Sequence, residues 1–116
     1  MLPELLCVVV LNMGIHNGQV ACDYMEDVVE AADINQIDPA ILISLIYYES
    51  RWKATAVSPR GACGLTQVLP KFTRNPRVTC KQLKDPHTSI HRGAQALARW
   101  KTKATYTQPR ALCAYN

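Results

Sequence analysis

Hydrophobic and polar positions follow a helical period through much of the chain. Asp23 is a candidate N-cap, and Glu26 follows three residues later in the arrangement of a capping box. The apolar positions after it share one helical face: Met25, Val28, Val29 and Ala32. This pattern predicts an amphipathic helix that begins after Asp23 and exposes its acidic residues.

A second segment, residues 40–48 (AILISLIYY), is apolar on nearly every side. Asp38 precedes it as a candidate N-cap, and Pro39 is suited to the first helical position. A strand could share this composition, but the cap and the continuous length to Trp52 favour a buried central helix.

The C-terminal region also has a helical pattern. After Asp85 and Pro86, one apolar stripe is formed by Ile90, Ala94, Leu97 and Ala98. Pro109 then opens a short final helix. We therefore predict a mainly α fold with little or no sheet.

The N-terminus supports two interpretations. Residues 5–11 (LLCVVVL) resemble the core of a signal peptide, with small residues near a cleavage point before Cys22. Residues 1–50 contain no Lys or Arg, so the usual positive region is missing, and the alternative is a hydrophobic helix packed on the domain. Residues 22–116 are then predicted to form one domain, since 116 residues with 48% hydrophobic content suit a single core. No apolar run is long enough for a stable membrane span.

Five cysteines are many for this length. Removal of residues 1–21 would leave four that can pair evenly: Cys22, Cys63, Cys80 and Cys113. This count fits an oxidising compartment and leaves the pairing open.

The charge is distributed unevenly along the chain. All 13 Lys and Arg residues follow Glu49, and Asp85 is the only acid after it, which makes that part formally +12. Such a field suits a polyanionic partner, either cell-wall polymer or nucleic acid, or it serves solubility alone. The sequence lacks the aromatic and basic interleaving or a recognised motif that would indicate nucleic acid.

Glu49 stands at the end of the apolar helix beside Tyr47, Tyr48 and Trp52. Loss of hydration there would favour the neutral carboxyl and raise its pKa. A protonated acid at neutral pH is what glycosidic bond cleavage requires. The alternative is a salt bridge to a nearby arginine or a solvent-facing carboxylate.

Three sequence blocks, in order, resemble the signatures of the lytic transglycosylase domain of glycoside hydrolase family 23. They are residues 49–52 (ESRW), residues 61–70 (GACGLTQVLP) and residues 114–116 (AYN). The resemblance extends to residues 37–39 (IDP) and 83–86 (LKDP) and covers nearly the whole chain from Cys22 onward. It implies a lysozyme-like fold of the goose-type lysozyme kind.

The resemblance also implies the site. Glu49 would be the single catalytic acid and base, and no cofactor would be needed. The implied substrate-binding residues are Ser50, Gly64, Leu65, Thr66, Gln67, Tyr115 and Asn116. Thr66 stands where the family most often has methionine, and the chain stops at Asn116 where the family continues, so another polypeptide could complete the groove.

By this resemblance the chain cleaves the bond between N-acetylmuramic acid and N-acetylglucosamine in peptidoglycan and leaves 1,6-anhydro ends. Two alternatives remain: a lysozyme-type hydrolase, and a non-catalytic wall-binding component of a phage particle or secretion assembly. The implied location is periplasmic, secreted or virion-associated.

His87 and His91 stand at i, i+4, and Cys80 is close in sequence. Two histidines without placed further ligands usually indicate a polar helix face, so we predict no metal site.

Overall fold

The computed structural model describes residues 3–14 and 17–104, with side chains to residue 100. It contains six α-helices and one 3₁₀ helix: α1 (Pro3–Asn12), α2 (Gly18–Asp23), α3 (Met25–Ile34), α4 (Pro39–Ser50), η1 (Pro70–Phe72), α5 (Cys80–Leu83) and α6 (Pro86–Ala104). Within the described ranges there is no β-strand, only isolated bridges joining Cys63 to Val57 and to Val68. The predicted mainly α fold is confirmed. None of the described helices combines the length and apolar character that crossing a membrane requires.

Helix α3 has the predicted apolar face but a different start. Met25, Val28 and Ala32 are buried, whereas Asp23 is the last residue of α2. Tyr24 occupies the N-cap position of α3 and makes no side-chain capping bond. The predicted capping box at Asp23 is therefore wrong, because a preceding helix runs to within one residue of α3.

Helix α4 begins as predicted and ends earlier. The Asp38 side chain accepts a hydrogen bond from the Ala40 amide at 2.9 Å, and Pro39 takes the first helical position. The helix stops at Ser50, because Arg51 and Trp52 adopt left-handed backbone conformations with φ of 51° and 64°. The prediction that it continues to Trp52 is wrong.

One core joins the helices. Four residues of α4 are buried in it: Leu42, Ile43, Leu45 and Ile46. Trp52 and Leu65 belong to the same cluster, so the segment after α4 and the loop carrying Leu65 share one packed interior. Helix α6 contributes the predicted stripe, with Ile90, Ala94 and Leu97 buried and Ala98 partly so.

The N-terminal helix α1 packs against α2 and α3. Leu6 and Val10 are buried against α2 and α3, and a disulfide joins Cys7 to Cys22. Other apolar side chains of α1 are exposed: Leu5, Val8, Val9 and Leu11. Both interpretations of residues 1–21 stay predictions.

The long connection between α4 and α6 is fastened by a second disulfide, Cys63–Cys80. Its cysteines pack with Val68, Val78 and Leu83 in a small separate cluster. Cys113, the predicted final helix after Pro109, Tyr115 and Asn116 all lie outside the described residues.

Candidate active site

Glu49 occupies the last turn of α4, at the C-terminal end of the buried helix. Its Oε1 atom is buried. The two left-handed residues that follow, Arg51 and Trp52, turn the chain sharply away from the helix axis. Such conformations are costly for residues other than glycine and often occur near functional sites.

The aromatic residues around Glu49 differ in burial. Trp52 is 1% exposed and its indole Nε1 has no hydrogen-bond partner among the described residues, whereas Tyr48 is 74% exposed. The expectation that Tyr48 shields Glu49 from water is therefore wrong, because Tyr48 projects into solvent. The Arg51 guanidinium lies 5.5 Å from the centre of the Tyr47 ring. Of the two aromatic residues Tyr48 and Trp52, only Trp52 is buried at this end of α4.

Ser50 follows Glu49, and its side chain folds back onto the backbone of its own helix. Its hydroxyl donates to the Ile46 carbonyl at 3.1 Å. This bond fixes the hydroxyl against the helix backbone, where its oxygen can still accept a hydrogen bond.

Gln67 stabilises the loop that carries it, the non-helical segment of residues 61–69 before η1 (the Gln67 loop). Its Nε2 donates to the carbonyls of Ala56 at 3.0 Å and Gly64 at 2.9 Å. Both amide hydrogens are used in this way, which leaves Oε1 as the atom able to accept a hydrogen bond from a ligand. The backbone of Gln67 is left-handed, with φ of 54°.

Gly64 is required by close packing within the protein. At its φ of +84°, an added Cβ would overlap the Leu83 carbonyl and lie 2.7 Å from the Ser89 hydroxyl. The family resemblance implies that Gly64 binds substrate, whereas the close neighbours of Gly64 in the structure are Leu83 and Ser89 of the chain itself. Gly61 differs, since an added Cβ there would meet nothing within 4 Å.

Leu65 and Thr66 point into the interior. Both side chains are fully buried, and Leu65 packs in the main core. The Thr66 hydroxyl donates to the Ser89 carbonyl at 2.7 Å, and the Ser89 hydroxyl accepts from the Thr66 amide at 3.1 Å. The threonine found in place of the usual methionine is therefore matched by a buried polar partner on α6.

Ser89 and Gly93 support the segment around Thr66, a role that the sequence pattern did not assign to them. An added Cβ at Gly93 would overlap the Thr66 side chain, so only glycine fits there beside this threonine. A glycine in the middle of a helix is costly unless packing requires it, and this was the signal available in the sequence.

Asp85, the only acid after Glu49, has a structural task. Its Oδ2 accepts hydrogen bonds from the amide and the hydroxyl of Thr88, both at 3.0 Å, at the start of α6. A carboxylate committed to a helix N-terminus is favourably placed there by the helix dipole.

A basic cavity lies next to the Gln67 loop. It has a volume of about 640 Å³, and its lining includes Val68, Arg74, Arg92 and Arg99. The Arg92 guanidinium donates to the carbonyls of Arg74 and Pro76, both at 3.0 Å, and so fixes the rim. Part of the predicted cationic field is thus concentrated on one face beside residue 68. Glu49 is not among the residues that line it.

Comparison with known proteins gives a family assignment. Residues 26–116, most of the chain, match the family described as the Transglycosylase SLT domain. This span includes Glu49, the Gln67 loop and the final Ala114, Tyr115 and Asn116. No solved structure matches the chain. The chain therefore belongs to the transglycosylase SLT domain family, with the helical lysozyme-like fold and the extracytoplasmic, peptidoglycan-directed lytic function of that family.

Proposed function

We propose that this chain is a lytic transglycosylase that cleaves the β-1,4 bond between N-acetylmuramic acid and N-acetylglucosamine, with Glu49 as its single acid and base. The observation that carries the proposal is the placement of Glu49 at the end of a buried helix with Oε1 shielded from water. Burial favours the neutral carboxyl, and a neutral carboxyl can donate a proton.

In the proposed reaction Glu49 donates its proton to the glycosidic oxygen while the bond from that oxygen to C1 of the muramic residue breaks. The substrate's acetamido group stabilises the positive centre that develops. The Glu49 carboxylate then removes the proton of the C6 hydroxyl, whose oxygen bonds to C1. The product is a 1,6-anhydro end, and no water is consumed.

A mechanism with one carboxyl group is supported by the inventory of acids. Retaining and inverting glycosidases generally use two carboxyl groups that flank the bond. Asp85 is the only acid after Glu49, and it binds the first turn of α6 through Thr88. A single acid and base gives on the order of 10² to 10⁴ in rate by proton transfer.

We further propose how the remaining residues contact the glycan. Oε1 of Gln67 would accept a hydrogen bond from a sugar hydroxyl or amide group, because Nε2 already donates to carbonyls within the protein. The side chains of Leu65 and Thr66 are buried, so any contact from these two residues would use backbone groups. The assigned contacts of Ser50, Gly64, Tyr115 and Asn116 stay predictions.

The basic face around Arg74, Arg92 and Arg99 suits the acidic groups of cell-wall polymer. We propose that the protein works in the periplasm, after secretion or within a virion, on glycan strands. A larger wall-spanning assembly would be a natural setting for it.

Mass analysis of muropeptides released by the purified 116-residue chain tests the proposal. We expect anhydro-muramic ends, which are lighter than hydrolysed ends by one water, and none from Glu49→Gln. Hydrolysed ends would instead indicate a lysozyme-type enzyme. Wall binding without release of fragments by the wild type would indicate a non-catalytic component.

A further inference from the structure

Three potential metal ligands meet on the surface where α3 lies against α6. The Nδ1 atom of His87 lies 2.7 Å from Oδ1 of Asp27, although the two residues are 60 positions apart in sequence. His91 follows one turn after His87 on α6, and the centres of their rings are 4.3 Å apart. One ligand atom from each of the three residues lies within 4.8 Å of the other two.

His91, the third residue of this cluster, has a buried nitrogen without a hydrogen-bond partner among the described residues. This nitrogen is Nε2. Buried polar atoms without a partner are costly and uncommon in native structures. The imidazole that carries this nitrogen also supplies one ligand atom of the three-residue cluster.

Charge and access also suit a cation. Asp27 contributes a carboxylate, and Glu30 adds a second negative charge near both imidazoles. A surface cavity of about 380 Å³ is lined by His87 and His91, so an ion can reach the histidines from solvent. Cys80 is held in the disulfide with Cys63. No metal site was expected from the sequence because no further ligand could be placed beside the two histidines, and the structure places Asp27 there.

We propose that Asp27, His87 and His91 form a binding site for one zinc ion that cross-links α3 to α6. Two imidazoles and a carboxylate are a common zinc ligand set, with a water in the fourth position. Ligands about 2.1 Å from a tetrahedral ion stand roughly 3.4 Å apart. Asp27 and His87 would therefore separate slightly, and His91 would turn towards them. The site needs no substrate and is independent of the proposed cleavage reaction.

The site is tested by titrating zinc chloride into the metal-free protein and following the heat of binding. The sample for this titration should carry no histidine tag and should have both disulfides formed. It should also contain the substitution Cys113→Ser, which removes a thiolate that could bind zinc. We expect one ion per chain. His87→Ala and Asp27→Asn should each weaken binding by at least about tenfold, since even loss of an outer partner of a metal ligand costs 10–100-fold.

His16→Ala is the matched control, because it removes the one histidine outside the cluster. Zinc should bind this variant with wild-type affinity and should raise its thermal midpoint in proportion to the logarithm of the zinc concentration. His87→Ala and Asp27→Asn change surface groups that are 60% and 29% exposed, so both variants should fold. Absence of one-to-one binding overturns the proposal. So does unchanged affinity in both cluster variants, or a loss of affinity in His16→Ala.

Discussion

Thr66 lies directly against Gly93, so closely that a methyl group at Gly93 would overlap the threonine side chain. The contact brings the Gln67 loop onto α6, where the Thr66 hydroxyl donates to the Ser89 carbonyl. The loop can therefore pack this closely on α6 because Gly93 leaves room for the Thr66 side chain.

Gly93→Ala should destabilise the protein by about 1–3 kcal/mol, because the added methyl group has no room beside Thr66. The sign of this change in unfolding free energy is informative, because replacing a glycine inside a helix with alanine otherwise stabilises the helix by up to about 1 kcal/mol. Gly18→Ala is the control, because its added Cβ meets neighbours only at 3.6 Å or more. Urea denaturation compares the two variants, and equal free energies of unfolding would contradict the packing argument.

Thr66→Val should cost about 1–3 kcal/mol of unfolding free energy although it preserves the side-chain shape. The substitution removes a buried hydrogen bond and leaves the Ser89 hydroxyl with one polar neighbour fewer. Thr55→Val changes an exposed threonine and should have little effect. Similar chemical denaturation midpoints for the two variants would show that the buried hydroxyl does not stabilise the loop.

Gly64→Ala should be far more damaging than Gly61→Ala. Both glycines have positive φ, so both substitutions incur a backbone cost of about 1–2 kcal/mol. Only at Gly64 does the new Cβ also overlap the Leu83 carbonyl, which cannot move without shifting the end of α5. Thermal unfolding should show a clearly larger loss for Gly64→Ala. A difference close to zero would mean that the loop relaxes without cost.

The two histidines of α6 should affect stability in opposite directions as pH changes in metal-free protein. Burial and the neighbouring His87 lower the pKa of His91, so its contribution to stability declines as pH falls below the unfolded value of about 6.5. The hydrogen bond to Asp27 raises the pKa of His87, so its contribution is present below about 6.5 and declines as pH rises through the higher folded value. Because His87 is exposed, its effect should not exceed about 1 kcal/mol.

Urea denaturation near pH 8 and near pH 5.5, on either side of the reference value of about 6.5, separates these effects. Acidification should destabilise His91→Gln less than the wild type and His87→Gln more than the wild type. The same pH response in all three proteins would contradict the assignment of the two shifts.

The sequence predicted those parts of the fold that depend on local signals. The Asp38 and Pro39 start of α4 and the apolar stripe of α6 both follow from capping and periodicity. The prediction that Asp23 caps α3 was wrong because the residues before it form a helix of their own. Local sequence rules do not show where one helix ends and the next begins when the two are nearly contiguous. The end of α4 failed because Arg51 and Trp52 adopt left-handed conformations that tertiary packing must support.

The family was predictable from the sequence, whereas the geometry of the candidate site was not. The spacing of Glu49 and Gln67 indicated a family, yet the bonds from Gln67 to Ala56 and Gly64 depend on a loop whose shape no pattern encodes. The meeting of Asp27 with His87 is a contact between helices distant in sequence, so only the packing of α3 on α6 could reveal it.

The central claim concerns the proton on Glu49, and Glu49→Gln tests it most directly because the amide keeps the shape of the carboxyl but cannot supply that proton. Release of soluble fragments from purified peptidoglycan should fall by a factor on the order of 10² to 10⁴, with wall binding and the thermal midpoint unchanged. Glu26→Gln, which alters an exposed acid of α3, should match the wild type. Release by Glu49→Gln at the wild-type rate would contradict the account.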